Sequence, residues 1–334
     1  MANFETIKLD KGLYHTSKGF LNELESIDPS ENYKGTSLEG LDAFERQLKR
    51  FDIKIKGTNS DTIDKFFATT DSAALFPEYI SRAVRQGVES ANIVDHLIAT
   101  KTNINGLDYR TITSIPTEED KTLAEVAEGA AIPETVVTTQ ENLVTLKKHG
   151  RMLVASYEAI RFQKLDLFTV TLRQIGAHIA RSQFKNAIDV IIAGDGNDNE
   201  AEFFNPKDSN NLEYSDFLSL WNSLSPYELN TILLPKNYAP AVLTIPEFKD
   251  AHAGLNFHGS GSVITPFGAK VLVTDHISRE IIGLDKNYAL EMVTAGDIQT
   301  EYDKLIDLQL ERTTISQISG FAKIFNDAAK YMAL

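Results

Sequence analysis

Apolar positions along this chain are best organised after residue 164. Phe168, Leu172, Ile175 and Ile179, followed by Phe184, Ile188 and Ile191, recur at spacings of mostly three and four, a period that lays one apolar stripe along a helix. The pattern predicts a helix over 165–193, about 43 Å long at about 1.5 Å per residue. Arg173, Arg181 and Lys185 lie off the stripe, as does Arg161 just ahead of it, and Gly194-Asp195-Gly196-Asn197 ends the run. A shorter helix is predicted over 76–88, where Tyr79, Ile80, Ala83 and Val84 keep helical spacing and Pro77 suits the first turn.

Strand predictions rest on β-branched residues and period two. Val136, Val137, Val144 and Thr145, with Leu153 and Val154 beyond, predict one or two long strands over 135–156. Residues 212–293 then alternate. A helix carries Phe217, Leu218, Leu220, Trp221 and Leu224, a strand over 231–234 is ended by Pro235, a helix lies near 238–243, and a glycine-rich loop precedes a strand over 270–274. That order predicts a compact α/β unit. Between 298 and 324, Ile306, Leu308 and Leu310 keep period two and Thr314 and Ile318 share their parity, with Arg312 and Ser316 interrupting. The chain is therefore expected to rejoin the sheet begun near Val136, which makes the α/β unit an insertion.

Two stretches lack such order. Residues 1–65 are polar and rich in turn formers (Asp28-Pro29-Ser30, Gly35, Gly40), with one predicted helix over 37–51, and read as an arm or extension. In residues 93–133, Ile112, Ile115 and Val126 stand isolated among Thr, Glu, Asp and Gly, and Glu118-Glu119-Asp120 follows Pro116 at a turn. Two weakly apolar strands with a solvated tip bury too little to hold a long hairpin rigid. The hairpin needs a partner surface.

Composition narrows the possibilities. Of 334 residues, 42% are apolar and 24% charged, enough for a sizeable core in one elaborated or two interleaved domains. The net charge of −14, from 33 basic and 47 acidic residues, is unlike that of a dedicated nucleic-acid binder, so any DNA contact is expected to be local. Residues 195–334 hold 10 basic and 20 acidic side chains, whereas 156–194 hold 5 and 3, a locally positive island. There is no apolar run of about eighteen residues, and Met1-Ala2-Asn3-Phe4-Glu5 lacks a signal-peptide pattern, so the chain is expected in the cytosol without a membrane partner. The absence of cysteine excludes disulfides, thiolate metal sites and a cysteine nucleophile.

Candidate chemistry is sparse. Asp195-Gly196-Asn197-Asp198-Asn199 has the alternating oxygens that open a calcium loop, but Glu200 and Pro206 stand where that loop needs glycine and an acid, so it reads as a helix-ending loop. His258-Gly259-Ser260-Gly261-Ser262 sets hydroxyls among glycines without the strand and helix of a nucleophile elbow. A hydrolase acting through Ser260 or Ser262 rests on that loop alone. The histidines (His15, His96, His149, His178, His252, His258, His276) show no ligand spacing, and no metal or cofactor is expected. Lys147-Lys148-His149-Gly150-Arg151 offers cations to phosphate, set against a solvated face or an inter-subunit ion pair. No carboxylates are paired for acid and base roles, so no catalytic residue and no enzyme is expected.

The order of landmarks resembles the major capsid proteins of tailed bacteriophages, whose fold encapsulins share. Over roughly residues 66–325 these landmarks are Leu75-Phe76-Pro77-Glu78-Tyr79-Ile80, Glu128-Gly129-Ala130-Ala131-Ile132-Pro133, Val154-Ala155-Ser156-Tyr157-Glu158, Gly194-Asp195-Gly196, and Thr265-Pro266-Phe267-Gly268-Ala269-Lys270-Val271 running to Thr274. The resemblance implies an α+β phage major capsid fold. A peripheral domain would take 134–204 and 296–334, with a spine helix over 157–193 and a long antiparallel sheet. An α/β axial domain would take 205–295, an extended β-hairpin loop 101–133, a helix and strand leading to it 66–100, and an N-terminal arm 1–65. It implies self-assembly into pentamers and hexamers around double-stranded DNA, with scaffolding and portal proteins as partners, in a virion built in the bacterial host cytoplasm. The alternative is an encapsulin-like compartment enclosing a cargo enzyme. Arg110, Glu118, Glu119, Lys121 and Glu128 are candidate inter-subunit contacts. Arg161, Arg173, Arg181 and Lys185 are candidates to face the lumen or adjoining subunits. The arm is expected to be retained rather than cleaved. Lys101 and Lys121 lie on the loop, but no Asn and Glu motif near the C-terminus matches the crosslink of some relatives, so non-covalent assembly is expected.

Overall fold

Capping and turn signals set the element boundaries. The computed structural model describes residues 4–15, 19–113, 125, 128, 138–156, 162–209, 211–249, 263–305, 307 and 310–334. Helices α1 (Phe20–Ile27), α2 (Ala43–Arg50) and α3 (Phe76–Ser90) come first. Strands β1 (Ile98–Ile104), β2 (Ile112–Thr113), β3 (Thr138–Thr139) and β4 (Lys147–Ser156) follow, then α4 (Leu165–Ala193) and β5 (Glu202–Phe204). Next come α5 (Tyr214–Ser223), β6 (Thr231–Pro235), α6 (Ala239–Thr244), β7 (Val263–Ile264), β8 (Lys270–Thr274), β9 (Glu280–Leu284) and β10 (Leu290–Ala295). The chain closes with β11 (Gln299–Leu305), β12 (Leu310–Lys323) and β13 (Ala329–Ala333). It divides into two units, one of Met1–Asn92, His149–Ala180 and Asp297–Gln317, the other of Ile93–Lys148, Arg181–Gly296 and Ile318–Leu334.

In the first unit the apolar stripe of α4 meets that of α3: Leu172, Ile175 and Ile179 pack in one cluster with Phe76, Tyr79, Ile80, Ala83 and Val84. The rings of Phe66, Phe67, Phe76, Tyr79, Phe168 and Tyr302 join it with centroids 5.0–6.4 Å apart. Strands β11 and β12 pair antiparallel from Gln299↔Ser316 to Leu305↔Leu310, and β4 also pairs with β12. The chain thus rejoins β4, the later part of the predicted 135–156 stretch, whereas β3 pairs with β2 in a separate sheet and Val136, Val137, Ile306 and Leu308 lie outside the described residues. Arg312, the polar interruption, pairs with Asp303 at 2.7 Å.

Residues 1–65 differ from the sequence expectation. Phe20, Leu24, Phe44, Leu48, Ile53 and Ile63 are buried in the same cluster as α3 and α4, so these residues fold into the unit's core. The predicted helix over 37–51 is the shorter α2, started by a capping box in which Asp42 Oδ1 accepts from the Glu45 N–H at 2.8 Å and Glu45 Oε2 from the Asp42 N–H at 3.2 Å. Long-range polar ties supply what local pattern lacks. Buried Arg46 holds buried Asp28 at 2.7 Å, Gln47 Nε2 donates to the Phe4 carbonyl at 2.9 Å, and the Tyr14 hydroxyl donates to the Ala74 carbonyl at 2.8 Å.

The second unit contains a sheet ordered β5-β13-β9-β6-β8-β7. All five residues of β6 are buried, which explains why Ile232-Leu233-Leu234 is continuously apolar rather than alternating. Ile232 and Leu234 face the cluster of Phe217, Leu220 and Val242 from α5 and α6. Leu233 and Ile282 join the cluster of Phe184, Ile188 and Ile191 from the end of α4. Here β13, expected with the peripheral domain, pairs with β9 antiparallel and with β5 parallel, so the α/β sheet draws strands from both sides of the predicted insertion. Separately, β1 runs parallel to β10, and β10 antiparallel to β12 from Leu290↔Lys323 to Thr294↔Ser319.

Candidate functional site

Two buried polar centres of the second unit fasten the chain on either side of the β2–β3 pair, where the extended loop is expected. Glu291 interrupts the apolar run Leu290-Glu291-Met292-Val293 of β10 and is 4% exposed. Its carboxylate accepts hydroxyl hydrogen bonds from Thr102 on β1, from Thr111 and, at 2.8 Å, from Tyr109. Burial and then the Glu291 carboxylate hold the Tyr109 hydroxyl above its ordinary pKa, so it remains a donor. The returning chain is tied to the outgoing one: the Val144 N–H donates to the Tyr109 carbonyl and the Gln140 N–H to the Thr111 carbonyl, each at 2.9 Å.

The second centre is the loop that ends α4. Asp195 Oδ2 accepts from the Lys323 N–H at 2.8 Å and from Gln140 Nε2 at 3.2 Å, and Oδ1 accepts from Asn197 Nδ2 at 2.9 Å. The Lys323 ammonium, in a residue 1% exposed, donates to the Asn199 carbonyl at 2.6 Å and to Asn326 Oδ1 at 2.7 Å. Oxygens that resemble the opening of a calcium loop are thus engaged with protein donors, a lysine among them. Gln140 also donates to the Lys323 carbonyl at 2.9 Å, which joins the returning leg of the loop to β12.

Burial pushes the Lys323 pKa down to about 8, against the opposing pull of Asp195, Asp327 and Glu200. Between about 8 and the ordinary 10.5 the unfolded chain holds a proton that the folded chain has released, so this group's contribution to stability rises with pH across that window. The rise is at most roughly 3 kcal/mol. Urea unfolding at pH 7 and pH 10 is expected to show it in the native chain, and Lys323→Met is expected to remove it. Equal pH dependence in the two proteins would refute it.

The structure places the sequence candidates unevenly. Arg110 is committed within the chain, its guanidinium donating to the Glu141 carbonyl and, at 3.4 Å, to that of Gln140. Glu128 is exposed; Glu118, Glu119, Lys121, Arg161, His258, Ser260 and Ser262 lie outside the described residues. Half-buried Arg173 donates through Nε to Gln86 at 3.0 Å, while Arg181 and Lys185 are exposed on α4. Lys101 pairs with Asp95 at 2.6 Å. The root residues Thr102, Tyr109, Thr111, Gln140, Glu291 and Lys323 were missed by the sequence reading. The one signal for them was a charge inside an apolar run, at Glu291 and again in Phe321-Ala322-Lys323-Ile324. Among the described residues no helix is long and apolar enough to cross a membrane.

A family model described as phage capsid protein matches residues 139–311, more than half of the chain. The chain belongs to the phage capsid protein family. No curated protein matches the sequence. Among solved structures, the capsid protein's fold is similar to a virus-like particle from Pyrococcus furiosus, with 15% identity, 76% of this chain and 98% of that one covered, and a TM-score of 0.53. It is also similar to the capsids of native and empty GTA particles, at 16% and 17% identity. These cover 72% and 73% of this chain and 90% of each of theirs, with TM-scores of 0.53 and 0.54. At such identities the likeness establishes the fold, and that fold is the phage major capsid fold expected from the landmarks.

Proposed function

We propose that this capsid protein assembles into pentamers and hexamers that tile a closed phage head around double-stranded DNA, and that its loop, expected over 101–133 but held to its own unit through Thr111, lies on the neighbouring copy beyond that point. One observation carries the reading: a loop root fastened by buried Glu291, Gln140 and Lys323 supports a stem of two-residue strands on which Ile112 is 57% exposed. Such a stem gains little from its own unit, and a neighbour supplies the missing burial. Head-to-tail contacts of this kind are heterologous and close into rings. The loop's Glu118, Glu119, Lys121 and Glu128 are its proposed contacts. Arg161, Arg173, Arg181 and Lys185 face the lumen or adjoining subunits, which limits repulsion between an acidic shell and DNA. The spine helix and antiparallel sheet form the peripheral part and the six-stranded sheet the axial part. Scaffolding and portal proteins join assembly in the host cytoplasm. The role is structural rather than enzymatic.

Electron microscopy of the chain expressed with and without its neighbouring genes tests this. Closed shells with fivefold and sixfold capsomers and nuclease-protected DNA are expected. Protein that stays monomeric at every concentration, salt and scaffold condition overturns the proposal, and shells that enclose a protein cargo in place of DNA select the compartment alternative.

A further inference from the structure

Within the acidic second unit, the side chains of Lys270 and His96 meet, and the charges of Lys286 and Asp95 also bear on His96. Residues Asn230 and Thr231, at the start of β6, organise the three basic residues. The Asn230 carbonyl accepts from the Lys270 N–H at 2.9 Å, Asn230 Oδ1 accepts from the Lys286 N–H at 2.9 Å, and Thr231 Oγ1 donates to the His96 carbonyl at 3.2 Å. The Lys270 ammonium meets His96 Nε2 at 2.8 Å, a contact that requires the imidazole to be neutral and to accept. His96, Lys270 and Lys286 are half-buried.

The nearby acids are already engaged. Asp95 pairs with Lys101 at 2.6 Å. Buried Asp285 accepts from the Glu228 and Asn287 N–H groups at 3.0 Å and from Asn230 Nδ2 at 2.6 Å. Among the described residues neither Lys270 nor Lys286 has a carboxylate within ion-pair distance. Two lysines from a stretch of net charge −10, with 10 basic and 20 acidic residues over 195–334, set beside His96 from outside it, form a local positive centre whose repulsion an anion would relieve.

We propose that His96, Lys270 and Lys286 form a binding site for a phosphate oxyanion, supplied as the phosphodiester of DNA or as free phosphate. In the empty site His96 is neutral and takes a hydrogen bond from Lys270. When the oxyanion enters, Lys270 turns to it and His96 gains a proton and becomes a second donor, with Lys286 adding charge. A phosphate group presents several acceptor oxygens to these donors, whereas a carboxylate presents two. In the empty site burial and the charges of Lys270 and Lys286 hold the His96 pKa below its ordinary value, opposed by Asp95. Binding therefore takes up a proton and tightens as pH falls through the histidine's range. The proposal concerns the single chain and stands independently of shell formation.

The test is an NMR pH titration of the imidazole signals of the full chain, with His96 assigned through His96→Gln. It is run with inorganic phosphate, with a twelve-base-pair DNA duplex, and with acetate, at constant ionic strength. Phosphate is expected to raise the His96 pKa by about one unit, a tenfold coupling. In Lys270→Gln/Lys286→Gln, His96 is expected to titrate higher than in the native chain without phosphate and to ignore its addition. A duplex that reproduces the displacement supports the phosphodiester as ligand, and displacement by phosphate alone supports the free anion. An immobile His96 pKa, an equal response to acetate, or a response retained in the double variant each overturns the site.

Discussion

Replacing residues 114–137 with an Asn-Gly turn is expected to leave a folded monomer that forms no closed shells. The register dictates the splice: Thr113 pairs with Thr138 across the antiparallel β2–β3 stem, and two residues of that type close such a pair in the twist a hairpin prefers. Everything that fastens the root is retained, including Thr102, Tyr109 and Thr111 on Glu291 and Gln140 on Lys323. Thermal unfolding is therefore expected to move by no more than a few degrees. Assembly responds differently, because every copy loses the same contact and a shell held by many modest contacts fails when one kind is removed throughout. Closed particles counted by electron microscopy are expected to fall on the order of a hundredfold or more. Shells of normal number and size from the spliced chain would show that the loop does not hold neighbours together.

How much of this was legible in the sequence follows from where each residue finds its partners. The helix α4 and the strand β8 begin and end where the apolar pattern predicts, at 165–193 and 270–274, because both carry a sustained apolar period and a clear stop. The start at 157 implied by the resemblance is corrected to Leu165, since residues 162–164 are not helical. Gly194, at φ 77°, is in the left-handed region that ends α4. Residues 1–65 were opaque for the opposite reason. Arg46 is buried because Asp28, 18 positions away, receives it at 2.7 Å, and neither residue alone distinguishes a core ion pair from a solvated loop. The root of the loop shares this property. Glu291 reaches hydroxyls more than 180 positions earlier, so its role depends on the parallel pairing of β1 with β10, a pairing that no local window contains. Among the family landmarks, Leu75–Ile80 opens α3 and Gly194-Asp195-Gly196 ends α4, local chemistry that a sequence window contains, whereas the centres at the root depend on distant pairing and stayed unseen.

Gly87→Ala and Gly176→Ala are each expected to destabilise the first unit by about 3 kcal/mol or more, a large share of the roughly 5–15 kcal/mol that holds an ordinary domain together. At these two glycines the backbones of α3 and α4 meet. A Cβ on Gly87 would stand 2.1 Å from the Arg173 carbonyl oxygen, and a Cβ on Gly176 would stand 2.1 Å from the Val84 carbonyl oxygen. The obstructing atoms are backbone in the middle of helices, so no rotamer change relieves the overlap and the helices must part by more than about 1 Å. Parting them opens the cluster that Tyr79, Ile80, Val84, Leu172 and Ile175 fill, and adds lost packing to the steric cost. Because either alanine forces the same separation, the double variant is expected to cost less than the two single changes added together. Gly106→Ala is the control: nothing lies within 4 Å of its added carbon, and its effect is expected to stay within about 0.5 kcal/mol. Urea unfolding of the native chain and the four variants measures these differences. A Gly87→Ala chain as stable as the Gly106→Ala control would mean that α3 and α4 do not meet backbone to backbone, and with that the packing of the first unit would have to be redrawn.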